Sequence, residues 1–200
     1  GSGNIAMGRN ACLAMTTASN TIAIGYEALK VEDTESNLVA VGTQALYSNN
    51  GGIRNTAVGH GALFSNVSGG SNTACGYLAL NNSTGDGNTA FGNDALRSNT
   101  SAEKNTALGN EALEANTTGH SNTGSSAGEN AVGTRNTFLG FIAGKGQSSG
   151  CNGENNVAIG HSALYQMTSA ANNTIVGRDA GSDLTTGSNN LFLGNAAGTS

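Results

Sequence analysis

Few side chains in this 200-residue chain are equipped for chemistry. His60, His120 and His161 are the general-base candidates, and Cys12, Cys75 and Cys151 are the candidate nucleophiles or metal ligands. Asp86, between Gly85 and Gly87, sits as an aspartate does in calcium-binding β-roll turns. None has the partners its chemistry needs. The cysteines lie 63 and 76 residues apart, far from any zinc-ligand spacing, and the Gly-Gly-x-Gly-x-Asp pattern around Asp86 is not repeated. No Gly-x-x-x-x-Gly-Lys-Ser/Thr phosphate loop occurs. The expectation is a protein that is not an enzyme and carries no cofactor or metal.

The composition excludes other classes. A net charge of −5, with eight Lys and Arg scattered singly, leaves no basic patch for nucleic acid. No apolar run approaches the roughly 18 residues of a membrane span, so no membrane insertion is expected of this segment. Charged residues are 10% of the chain, there are no prolines or tryptophans, and glycine numbers 31. Disorder is set aside because it does not keep a strict apolar register.

That register positions everything else. Asn55 to Leu63 reads Asn-Thr-Ala-Val-Gly-His-Gly-Ala-Leu, and near-copies recur with a glycine at Gly8, Gly25, Gly42, Gly59, Gly76, Gly92, Gly109, Gly140, Gly160, Gly177 and Gly194, mostly 17 residues apart. Ser126 stands where one more glycine is due, and the short step to Gly140 is balanced by the long step to Gly160. Residues 1–200 therefore form a single repeat array of about twelve units, irregular over 122–156. The chain reads as a piece of a longer fibre.

Two residues before the glycine stands Ala, and one before it a large apolar residue. In an extended chain these point to opposite faces, which predicts a strand buried on both sides. Three residues after the glycine comes a second Ala, usually followed by Leu, and this predicts another short strand or tight segment on the same core. A helix is excluded by the central glycine and the short unit. The fold class is all-β, a parallel β-solenoid or β-roll of about twelve 17-residue coils. At about 4.8 Å per coil it would be a rod of roughly 55–60 Å.

Stacked coils turn repeats into columns. Asn55, Asn72, Asn88, Asn105 and Asn122 form an expected structural ladder, and Asn49, Asn66, Asn99 and Asn116 a second one. Cys75 takes the slot of Val58 and Cys12 that of Leu63, so both read as small buried hydrophobes, whereas Cys151 falls in the irregular stretch and reads as exposed. His60 and His161 share one place in units six coils apart, on the order of 29 Å, and cannot share a metal within a chain. Thr56, Thr73, Thr89, Thr106, Thr123 and Thr137 align as in an ice-binding solenoid. Ile5, Ile22, Val39, Val157 and Leu191 take the same slot, so a half-buried β-branched column is the sufficient account. Each coil encloses little volume against an ordering cost of roughly 1–2 kcal/mol per residue, and a second apolar face remains, which predicts association of copies along the rod.

The units Asn-Thr-Ala-Val-Gly-His-Gly-Ala-Leu-Phe-Ser-Asn and Asn-Asn-Val-Ala-Ile-Gly-His-Ser-Ala-Leu resemble the repeats of bacteriophage tail-fibre proteins. More distantly they are similar to the head repeats of YadA-type trimeric autotransporter adhesins. The resemblance implies a left-handed homotrimer, with self as partner, a virion or cell-surface location and a structural role in a fibre that spaces or presents host-cell attachment. The head of a bacterial surface adhesin is the alternative, and an ice- or glycan-binding solenoid a remote one. The positions after each glycine vary freely, so Tyr26, His60, Tyr77, Phe141 and His161 are the candidate contacts for a cell-surface glycan or receptor. The stretch from Gly144 to Asn155 is a second candidate binding region.

Overall fold

A computed structural model describes residues 1–31, 34–147 and 151–199. Three-residue strands recur once per coil: β1 (Ile5–Met7), β2 (Ile22–Ile24), β3 (Val39–Val41), β4 (Thr56–Val58), β5 (Thr73–Cys75), β6 (Thr89–Phe91), β7 (Thr106–Leu108), β8 (Thr123–Ser125), β9 (Thr137–Leu139), β10 (Val157–Ile159), β11 (Thr174–Val176) and β12 (Leu191–Leu193). They pair in sequence order in one parallel sheet, and no helix occurs among the described residues. This is an all-β parallel β-solenoid whose twelve strands are joined by eleven turns of chain.

The sheet is buried on one side only. In β4, Ala57 points inward and is fully buried, while Thr56 is half-buried and Val58 exposed on the outer side. The same pattern holds in β6, β7 and β10. The expectation of two buried faces therefore fails within a single chain, because one coil supplies residues to cover only the inner face. Cys75 follows its slot outward and is half-buried, Cys12 is half-buried, and Cys151 is buried beside the bridge from Ala131 to Cys151. Cys75 departs because its slot faces outward and Cys151 because its position faces in, whereas Cys12 keeps the inward leucine slot, with φ of 51°, and is half-buried because its coil is the first of the stack and has a neighbour on one side.

The Ala-Leu segment is not a second strand. Leu63 has φ of 52°, and Leu29, Leu46, Leu80, Leu96, Leu113 and Leu164 repeat that left-handed conformation. Gly61 two residues earlier also has positive φ, at 63°, whereas His60 and Ala62 do not. Alternating hands cancel the helical curl, so the ribbon stays flat and its peptide groups point along the axis. The Gly61 N–H donates to Thr43 O in the preceding coil (3.0 Å), and the Leu63 N–H to Ala79 O in the next (3.1 Å). A left-handed leucine costs roughly 1–2 kcal/mol. Burying its side chain returns a similar amount, about 1.5–3 kcal/mol.

Inner volume is conserved by exchange between two slots. Seven coils pair an inward strand Ala with a left-handed Leu, as Ala57 with Leu63. Three coils reverse the sizes: Phe138 pairs with Gly144, Ile175 with Gly181 and Phe192 with Gly198. A Cβ on Gly144 would overlap the Phe138 ring, and one on Gly128, in the coil below, would stand 2.8 Å from Phe138 Cδ2. The coil below holds glycine in both slots, Gly124 and Gly128, and its space is filled from two sides, by Leu113 against both glycines and by Phe138 against Gly128.

Phe138→Ala is expected to destabilise the fold by about 3–5 kcal/mol through the cavity it opens. Adding Gly144→Leu restores the pairing of the other coils, so thermal unfolding of the double variant should show part of that loss recovered, while Gly144→Leu alone is destabilising.

Candidate functional site

The outer edge of each coil begins at the glycine, and its backbone sets where side chains emerge. At Gly42 φ is 136°, and a Cβ would stand 2.5 Å from the carbonyl oxygen of Gly59 in the next coil. Only glycine lets coils approach so closely here. The residue immediately after it leaves the sheet outward, so Arg9, Tyr26, His60, Tyr77, Phe141 and His161 stand in one column.

The column is broken into pairs. The Arg9 guanidinium lies over the Tyr26 ring, 4.9 Å from its centroid, and Arg9 donates to the Tyr26 hydroxyl (3.1 Å). His60 and Tyr77 stack at 5.4 Å with planes 13° apart, and Phe141 meets His161 at 5.7 Å, tilted by 42°. All five candidate contacts are exposed, Tyr77 at 52% and Phe141 at 63%. His60 and His161 belong to separate pairs, and among the described residues no group of three His, Cys, Asp or Glu side chains could hold a metal ion. The Asp86 carboxylate accepts the Gly70 N–H (2.7 Å).

A second outward column lies five residues after the glycine. Tyr47 and Phe64 stack at 4.9 Å with planes 12° apart, and Lys30 Nζ sits 5.2 Å from the Tyr47 ring centroid. Lys30 also pairs with Glu27 (2.8 Å), whose other oxygen accepts from Gln44 Nε2 (3.0 Å). The Lys30 bond, then the Gln44 bond, lower the Glu27 pKa from 4.5 to about 2. The same salt bridge, helped by the Tyr47 hydroxyl, raises that of Lys30. The equal offset of Tyr47 and Phe64 from Gly42 and Gly59 was the available sequence signal for this column.

The five ladder asparagines are buried and linked directly. The N–H of Asn72 donates to Asn55 Oδ1 (2.9 Å), Asn88 to Asn72 (2.8 Å), Asn105 to Asn88 (3.0 Å) and Asn122 to Asn105 (2.8 Å). The side-chain amides of Asn55, Asn72, Asn88 and Asn122 also donate across the coil, as Asn72 Nδ2 does to Gly85 O (2.8 Å), while Asn105 Nδ2 donates along the ladder to Asn88 Oδ1 (3.3 Å). The ladder thus couples side chain to backbone, and it continues through Asn136, Asn156, Asn173 and Asn190. The second asparagine column closes corners within its own coil: Asn66 Oδ1 accepts from Gly69 N–H (3.0 Å) and Asn66 Nδ2 donates to Gly69 O (2.9 Å).

The irregular stretch contains a cleft. In regular coils the residue two after the glycine donates its N–H to the residue one after the preceding glycine, as Glu111 does to Asn93 O (2.9 Å). Ile142 instead makes this bond to Ser126 O (3.1 Å), and Ser126 N–H already fills the glycine's place by donating to Leu108 O (2.8 Å). The Leu113 N–H then reaches Ala127 O (3.1 Å), as Leu96 reaches Ala112 O (3.0 Å). This coil therefore lacks the two outward residues that other coils place after the glycine. A cleft of about 160 Å³ results, lined by Asn110, Glu111, Ser126, Ala127, Glu129, Phe141 and Ile142.

Its surroundings are acidic. Glu129 pairs with Lys145 (2.8 Å), which raises the lysine pKa. Burial raises that of Glu114 nearby, and the Glu111 and Asp94 carboxylates add to the rise against the opposing Arg97. In the longer coil that follows, Gln147 Nε2 donates to Gln166 Oε1 (2.8 Å). Residues 148–150 of the expected Gly144 to Asn155 binding region lie outside the described residues.

Asn72→Ala should cost about 2–5 kcal/mol in chemical denaturation, because it leaves the buried Asn88 N–H and Gly85 O without their partner. For Glu27 the folded pKa is depressed, so its contribution is complete above pH 4.5 and is lost as pH falls through about 2. Thermal midpoints of wild type should therefore fall across that window more steeply than those of Glu27→Gln. Comparison with protein-family models, curated proteins and solved structures finds no match.

Proposed function

We propose that the chain is a rod segment of a homotrimeric fibre of the phage tail-fibre type, acting outside the cell on a virion to space or present host-cell attachment. The observation that supports this reading is the outer face of the sheet. Along all twelve strands this face carries no charged residue. Its apolar column runs from Ile24 through Val58, Phe91 and Leu108 to Ile159, each between 36% and 44% exposed. Beside it runs the column of threonines and other β-branched residues, half-buried over β2 to β10. Monomeric soluble proteins rarely expose a contiguous apolar patch beyond a few hundred Å².

Packing this face of three left-handed coils about a common axis removes it from water. It also adds an apolar core between chains to the inner core of each solenoid. The apolar face itself supports burial between copies, and the resemblance to tail-fibre repeats supports the threefold order and the hand. A rod of this kind needs no catalytic group, and its regular coils carry length and stiffness.

Sedimentation at micromolar concentration should give three times the 19.8 kDa chain mass. Leu108→Glu, which puts a carboxylate on the face, should weaken association by about a hundredfold or more, since the charge must be desolvated beside its own copies. A folded monomer at that concentration sinks the proposal.

A further inference from the structure

The outward column after the glycine is a stack with one rung removed. Asn110 and Phe141 stand two coils apart, and between them the short coil presents the small, exposed Ser126 over a buried Ala127 in place of a larger outward side chain, because that coil lacks the two residues that would stand there. Two coil spacings amount to roughly 9.6 Å, so a flat ring at mid-height would lie about 4.8 Å from each neighbour. Tyr47 and Phe64 keep nearly this separation, 4.9 Å, in the column alongside.

We propose that this gap is a binding site for a single neutral pyranose ring, held as a surrogate rung between Phe141 and Asn110. Phe141 meets His161 on the side away from the gap and is 63% exposed, so its other face is available to the apolar C–H face of a sugar. The hydroxyl edge finds donors and acceptors of the right kind in the Asn110 amide, the Glu111 carboxylate and the Ser126 hydroxyl. The volume of about 160 Å³ suits one hexose rather than a chain of them. Charge selects among sugars. Glu111 and Glu129 line the gap with no Lys or Arg among its lining residues, and Lys145, which pairs with Glu129 at 2.8 Å, is already committed, so a sugar carrying a carboxylate is repelled. The gap lies beyond the glycine, off the charge-free sheet face, and the inference does not rest on association of copies.

The test is a titration of the full chain, followed by NMR, with free galactose, mannose and N-acetylglucosamine, and with N-acetylneuraminic acid as the anionic probe. At least one neutral sugar should give saturable shifts at Asn110, Glu111, Ser126 and Phe141 with a millimolar dissociation constant. The anionic probe should bind at least about tenfold more weakly. Phe141→Ala should weaken binding about tenfold, and Asn110→Tyr, which fills the gap from the opposite wall, should abolish it. Phe64→Ala, in the column alongside, should leave it unchanged, with circular dichroism confirming the fold of each variant. No saturable shift with any neutral sugar, equal loss in Phe141→Ala and Phe64→Ala, or preference for the anionic probe would overturn the assignment.

Discussion

Hydrogen bonding along the coil axis is the constraint on which the rest of this structure depends. A 17-residue coil closes only a few tight turns within itself, such as Asn66 N–H to Leu63 O, so most of its N–H and C=O groups turn up and down to the neighbouring coils. Strands do this where the chain is straight, and alternating left- and right-handed residues do it where the chain must bend. The glycine before each bend follows from the same requirement, since any Cβ there would meet the next coil's carbonyl. The asparagine ladder supplies the remaining donors and acceptors at a corner where backbone alone cannot reach. Leu38 marks what happens without it: the amide column is interrupted there, and a buried apolar side chain takes the space.

Close axial stacking in turn limits the core. Coils held one strand spacing apart cannot swell, so the inner volume per coil is nearly constant and residues exchange size only in compensation. Ala with Leu and Phe with Gly are two solutions to one volume, and the left-handed φ is kept at Gly144, Gly181 and Gly198 as at the leucines. The backbone thus dictates the slot, and the leucines bear its conformational cost because they fill it.

Much of this was legible in the residues. The period, the strand position and the opposite directions of Ala57 and Val58 follow from glycine spacing and from alternation, which are local properties. The size exchange was also written plainly, in Phe138-Leu139-Gly140 followed by Ala143-Gly144, but it becomes meaningful only when two positions six residues apart are known to face each other. Burial on the outer face was not legible, because an apolar pattern records unsuitability for water and not what covers it. Cys151 read as exposed since its stretch has no period, yet it is drawn in beside Ala131 where the short coil meets the long one. The cleft was hidden for a similar reason: Ser126 reads as a substituted glycine, and only the hydrogen bonds of Ile142 and Leu113 show that two residues after it are missing.

These two residues separate what the array must keep from what it is free to change. Removing them costs the one axial bond that Asn110 O would accept and leaves the neighbouring ones in place, because Ser126 takes the bonding roles of both the glycine and the residue after it. The inner volume also survives, with Phe138 reaching into the space above Gly128. The short coil lacks these two residues and one more farther along, and the longer coil that follows restores the register, since strand β8 to β9 is 14 residues and β9 to β10 is 20, together two regular periods of 17. A random deletion would not arrive with a matching core substitution and a matching insertion. The irregularity is therefore as constrained as the repeat, and its one unfilled consequence is the outward gap beside Phe141, at the place where a regular coil would present a side chain.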